Sequence, residues 1–83
     1  LTVAGHKLYA PKGVGALLLP TSAAIEPLIH GGAQERDRRS GTENVAGAVG
    51  LAVALELAEA EREAHPLAAL EARRDAFIAQ VLE

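Results

Sequence analysis

Glycine and proline divide this chain at residue 44. Six of the eight glycines and three of the four prolines precede Val45, while residues 45–83 hold only Gly47, Gly50 and Pro66. Proline lacks an amide donor and glycine loses the most conformational freedom in regular structure. One long helix is therefore excluded from the first part, and little interrupts one in the second. Short apolar runs between the glycines and prolines read as strands and loops. Leu1–Ala4 suits the end of a short strand. Val14–Leu19 suits a buried strand, with Gly13 and Gly15 relieving crowding at its start and Pro20 ending it. Ile25–Ile29 fits a further short extended piece.

From Ser40 the pattern is helical. Ser40-Gly41-Thr42-Glu43 matches a capping box, in which the serine hydroxyl accepts from a backbone N–H and the glutamate reaches back. Val45, Val49, Ala52, Val53 and Leu57 follow at helical spacing, and Leu51 and Leu55 widen the apolar face. Charges begin at Glu56 and thicken through Glu59, Glu61, Arg62 and Glu63, which predicts a helix buried in its first half and exposed in its second. Pro66 disfavours helical geometry at His65 and suits the first turn of a second helix. Leu67, Leu70, Phe77, Ile78 and Val81 would line one face of that helix. There is no internal repeat.

Eighty-three residues make at most one small domain. Apolar residues reach 49%, but the only aromatics are Tyr9 and Phe77, and alanine supplies much of the rest. Alanine buries little area, so the core this chain could build alone is thin. Leu1 is not an initiator methionine and Leu82-Glu83 end the sequence inside an apparent helix, so it reads as a segment of something longer. Without cysteine there is no disulfide and no thiolate metal site. His6, His30 and His65 lack metal-ligand spacing. No apolar run approaches the roughly 18 residues of a membrane span, and nothing resembles a secretory signal. The net charge of −3 gives no reason to expect nucleic acid. Arg36, Arg38 and Arg39 are interrupted by Asp37 and follow Glu35, so they read as a solvated or subunit-facing loop.

The densest chemistry lies in Gly5-His6-Lys7-Leu8-Tyr9-Ala10-Pro11-Lys12-Gly13-Val14-Gly15-Ala16. His6 and Lys7 stand where a strand gives way to a Gly- and Pro-rich loop, a common place for working side chains. A lysine can form a Schiff base with a carbonyl cofactor, but only as the neutral amine. At the ordinary lysine pKa about one side chain in 2,500 is neutral at pH 7, a penalty of roughly 4.6 kcal/mol. A reactive lysine thus needs burial or a neighbouring cation. By spacing alone Lys7 reads as a surface lysine with a packed stem, and His6 as a hydrogen-bonded structural histidine. No P-loop pattern occurs.

A second constellation runs Gly31-Gly32-Ala33-Gln34-Glu35-Arg36-Asp37-Arg38-Arg39-Ser40-Gly41-Thr42-Glu43-Asn44. It leads into a helix N-terminus, where free N–H groups and the dipole favour an anion. Gly41 lets a ligand approach the backbone closely, and Thr42 offers a hydroxyl. Plain capping by Ser40 or Thr42 accounts for the same residues without a ligand.

Taken together and in order, Gly5-His6-Lys7-Leu8-Tyr9-x-Pro11-Lys12-Gly13-Val14-Gly15-Ala16, Gly31-Gly32-x-Gln34-Glu35 and Arg39-Ser40-Gly41-Thr42-Glu43-Asn44-Val45 resemble the cysteine desulfurases. These belong to the class V aminotransferase group of pyridoxal 5'-phosphate (PLP) enzymes. The likeness is continuous over residues 1 to about 50 and looser beyond. It implies an α/β, type I PLP-dependent transferase fold. Residues 1–64 would end the large cofactor domain, and residues 65–83 would start the helix leading into the small domain. Lys7 would be the catalytic lysine that holds PLP and later carries the proton between substrate and cofactor. His6 would contact the cofactor phosphate. Gly41 and Thr42, at the helix start, would bind the phosphate of the neighbouring subunit's cofactor, making a homodimer necessary.

The implied activity is cytoplasmic conversion of L-cysteine to L-alanine. Sulfur would pass through an enzyme persulfide to an acceptor or scaffold protein, for iron–sulfur cluster or thiolation pathways. The alternatives are a selenocysteine lyase, an aminotransferase-like relative, or a segment inactive in isolation. Four positions depart from the family pattern. Ala4 stands where many relatives carry a phosphate-binding serine, Ala10 and Ala33 replace frequent glycines, and Asp37 occupies a usual glycine position.

Overall fold

A computed structural model describes all 83 residues. Strand β1 (Thr2–Ala4) pairs antiparallel with β2 (Gly15–Leu17), with Thr2 opposite Leu17, Val3 opposite Ala16 and Ala4 opposite Gly15. Gly15 is needed there, since a Cβ would lie 2.6 Å from the Val3 carbonyl oxygen. Bonds beyond the strands lengthen the pairing. Gly5 N–H donates to the Val14 carbonyl at 2.9 Å and Leu18 N–H to the Leu1 carbonyl at 2.8 Å. The strands are joined through a 3-10 turn, Gly5–Leu8, which ends at Tyr9 in the left-handed region with φ 64°.

The structure departs from the sequence expectations in several places. Strand β2 is shorter than Val14–Leu19 and is exposed throughout, because this chain places nothing over it. Ile25–Ile29 forms no strand, having no neighbouring edge to pair with. The segment 33–38 contains a short turn, α1 (Gln34–Asp37), in which Glu35, Arg36 and Asp37 are left-handed. Finally, the capping box does not form. Gly41, at φ +114°, turns the backbone away from helical geometry. Helix α2 (Val45–Ala64) starts later and is capped by Asn44, whose Oδ1 accepts from Gly47 N–H at 3.0 Å. Ser40 instead is buried, and its hydroxyl accepts from Ala33 N–H at 3.4 Å.

Helix α2 docks on the 3-10 turn and the following loop. The core comprises Ala10, Leu51 and Ala54, with Val3, Leu8 and Val14 packed against it. All of the buried α2 residues, Gly47, Leu51 and Ala54, lie in its first half as the charge gradient predicts. The face differs from the expected one. A Cβ on Gly50 would stand 2.8 Å from Pro11 Cδ, so the helix approaches the loop along its smallest residues. Val45, Val49 and Val53 consequently remain exposed. The predicted break falls at His65–Pro66, and α3 (Leu67–Leu82) follows without one buried residue. On the outer surface of α2, Glu59 receives the Arg62 guanidinium at 2.6 Å, which holds its carboxyl below the usual value.

The radius of gyration is 18.5 Å and the longest dimension 59 Å. A compact domain of this length would have a radius near 12 Å. Strand pair, turn and the first half of α2 form one packed unit, and the remaining helix projects from it.

Candidate functional site

Lys7 stands third in the four-residue turn that follows β1. That turn is anchored at both ends. Gly5 is buried and bonded to Val14, and Ala10 N–H donates back to the Gly5 carbonyl at 3.1 Å. Gly5 cannot be larger, since a Cβ would come within 2.7 Å of the Val14 carbonyl oxygen and 3.1 Å of Ala10 Cβ. The sequence therefore fixes the backbone beneath His6 and Lys7 and leaves both side chains exposed. Lys7, Leu8 and Tyr9 form one wall of an open cleft of about 650 Å³, and Val53, Ala54 and Leu57 of α2 belong to the other. The lining is mostly apolar but also includes Glu61, and Val53 and Leu57 stay exposed to solvent. The Lys7 side chain makes no hydrogen bond or ion pair within the chain. Lys12 lies outside the cleft lining.

The second constellation surrounds Gly41. The peptide between Ser40 and Gly41 is held on both polar atoms: Arg39 Nη1 donates to the Ser40 carbonyl at 2.5 Å, and Gly41 N–H donates to Gln34 Oε1 at 2.8 Å. Thr42 follows with an exposed side chain. It precedes the first helical residue by three positions, so it introduces α2 without belonging to its first turn. Gly41 and Thr42 do not line the Lys7 cleft, nor does His6. The structure thus gathers Lys7 with α2 and leaves the Gly41–Thr42 segment apart from it. Sequence reasoning had assigned no role to Gln34 or Asn44. A carboxamide in a polar loop carries no periodic signal, and only Asn44, immediately before Val45, was findable as a helix cap.

The family model described as "Aminotransferase class-V" matches residues 1–83, the whole chain. The chain belongs to the class V aminotransferase family. It is 51% identical over 83 residues to the cysteine desulfurase IscS of Dictyoglomus turgidum, covering 98% of this chain and 20% of that protein. The cysteine desulfurase IscS of Methanosarcina thermophila is 59% identical over 63 residues, covering 76% of this chain and 16% of the relative. Among solved structures, a NifS-like protein superposes with a TM-score of 0.69 at 52% identity, over 72% of this chain and 16% of that one. The α/β fold of the type I PLP-dependent transferases expected from the sequence is thereby the fold of this class V member. The chain spans about one-fifth of the length of the curated relatives it matches. No helix is long and apolar enough to cross a membrane.

Proposed function

We propose that this chain carries the cofactor lysine of a PLP-dependent cysteine desulfurase. The single observation behind this reading is Lys7 on an anchored turn beside an apolar cleft, in a class V chain 51% identical to a cysteine desulfurase along its length. The residues present fit PLP. An amine on a rigid turn suits its carbonyl and the apolar residues beside Lys7 suit its ring, while the Thr42 hydroxyl beside Gly41 suits the phosphate of a cofactor held by a partner subunit. Around Gly41 there is room for such a group, as the nearest atom to an added Cβ is Arg39 Nη1 at 3.6 Å.

In this mechanism Lys7 Nζ holds the cofactor and then moves a proton to and from the substrate carbon. His6, its neighbour on the turn, contacts the phosphate. Thr42 binds the phosphate of the partner subunit's cofactor, and Gly41, whose own N–H is held by Gln34, lets that phosphate approach the backbone, so two copies complete each other's sites in a homodimer. The separation of Thr42 from the Lys7 cleft supports a role across subunits. When bound, PLP supplies the electron sink for cleavage at the substrate. The overall reaction breaks the carbon–sulfur bond of L-cysteine, gives L-alanine, and joins the sulfur to a cysteine thiol as a persulfide. That thiol lies outside these 83 residues, which contain no cysteine. The persulfide then serves an acceptor or scaffold protein of iron–sulfur cluster or thiolation chemistry, in the cytoplasm. The helix break at His65–Pro66 supports placing residues 1–64 in the large domain and 65–83 at the approach to the small one.

The test is to supply the intact protein with PLP, L-cysteine and a thiol reductant. Equal yields of alanine and sulfide are expected, with both abolished by Lys7→Ala. Release of selenide from selenocysteine without sulfide from cysteine would instead make it a selenocysteine lyase.

A further inference from the structure

We infer that Gln34 is a positioning residue for cofactor phosphate, acting through the backbone at Gly41; this rests on the reading of Gly41 and Thr42 just given. The Ser40–Gly41 peptide is gripped from both sides, its carbonyl by Arg39 and its N–H by Gln34 Oε1 at 2.8 Å. Those two bonds fix the rotation of that peptide unit, and with it the direction in which the chain enters Thr42. Gly41 particularly needs such a clamp. At φ +114° it occupies a region that glycine enters freely, so nothing in its own side chain restrains it.

The Gln34 side chain is itself held. It is half-buried, and its carboxamide lies against Gly32, where a Cβ would come within 2.8 Å of Nε2. A second bond, from Ala33 N–H to the buried Ser40 hydroxyl, ties the same two stretches one residue earlier. Residues 33–34 and 40–41 are therefore laced together, and the left-handed backbone at Ala33, Glu35, Arg36 and Asp37 is the loop this lacing closes. Gln34 supplies the one side-chain acceptor aimed at Gly41. It touches neither Lys7 nor the cleft, so its effect falls on phosphate recognition and leaves the ring site unaltered.

The experiment compares affinity for PLP with affinity for pyridoxal, which lacks the phosphate, by absorbance titration of the intact apoprotein. Gln34→Leu is expected to weaken PLP binding up to about tenfold, in line with loss of the one hydrogen bond that holds the Gly41 amide, and to leave pyridoxal binding unchanged. Gln34→Asn withdraws the carboxamide by one methylene and is the milder variant, expected to show the same selective loss. Equal weakening of both ligands, or no change, in whichever variant folds would overturn the inference. Thr42→Ala separates this from the underlying reading. If Thr42→Ala also leaves the PLP-to-pyridoxal ratio unchanged, the phosphate assignment itself fails. If it lowers the ratio and the Gln34 variants do not, only the positioning role is lost.

Discussion

At the scale of single residues, the departures from the family pattern have a physical consequence. Ala33 and Asp37, both at positions where the family resemblance implies glycine, adopt φ values of 63° and 64°. A side chain in the left-handed region costs roughly 1–2 kcal/mol, less for aspartate than for alanine because its short polar group can bond locally. Ala33→Gly is therefore expected to stabilise the intact protein. Subtracting the greater entropy of glycine in the unfolded chain leaves a gain of about 0.5–1 kcal/mol, read as a higher midpoint in urea. Ala10, the third such position, has no positive φ, and the same change there would bring no strain relief. The Lys7 turn was legible because its glycine and histidine form a dense local motif. Gln34 was not, because its partner lies seven residues away and is a backbone amide.

Among the elements, strand β1 and the helix break at His65–Pro66 were readable because a short apolar run bounded by glycine, and a proline, act within a few residues. The helix start was misread because the capping-box pattern at Ser40–Glu43 requires near-helical backbone after Ser40, which Gly41 at φ +114° does not adopt, so the cap moves to Asn44. Asn44→Ala should therefore cost about 1 kcal/mol of stability, while Glu43→Ala should be nearly neutral by the same denaturation measurement. A capping box would give Glu43 the larger effect. The docking face of α2 was misread for a related reason. Hydrophobic periodicity marks the bulky residues, whereas the closest approach, at Pro11, selects glycine. Gly50→Val should push α2 off the loop, lower stability by about 1–3 kcal/mol and disturb the cleft beside Lys7, visible as weaker PLP binding. Gly47 has its own constraint, since a Cβ there would collide with the Asn44 cap.

For the whole molecule, the accessible surface is the informative quantity. It amounts to 7185 Å². A compact monomer of this mass exposes only about 4,700 Å². The excess is carried by β2 and by apolar residues of α3 such as Leu67, Phe77 and Val81, which these 83 residues leave uncovered. Fold class was legible from the two motif blocks. The burial of β2 was not, because burial depends on what packs over a strand and not on the strand's own sequence. The isolated 83-residue chain is expected to be poorly ordered, giving narrow amide dispersion in NMR spectra and low helicity. A sharp, dispersed spectrum would show that the small core of Ala10, Leu51 and Ala54 suffices.

The central claim, that Lys7 holds the cofactor, is tested most directly by borohydride reduction of the intact protein in the presence of PLP, followed by peptide mass spectrometry. The account predicts a pyridoxyl adduct on Lys7 and none on Lys12. An adduct on Lys12 alone, or on neither lysine, would contradict it.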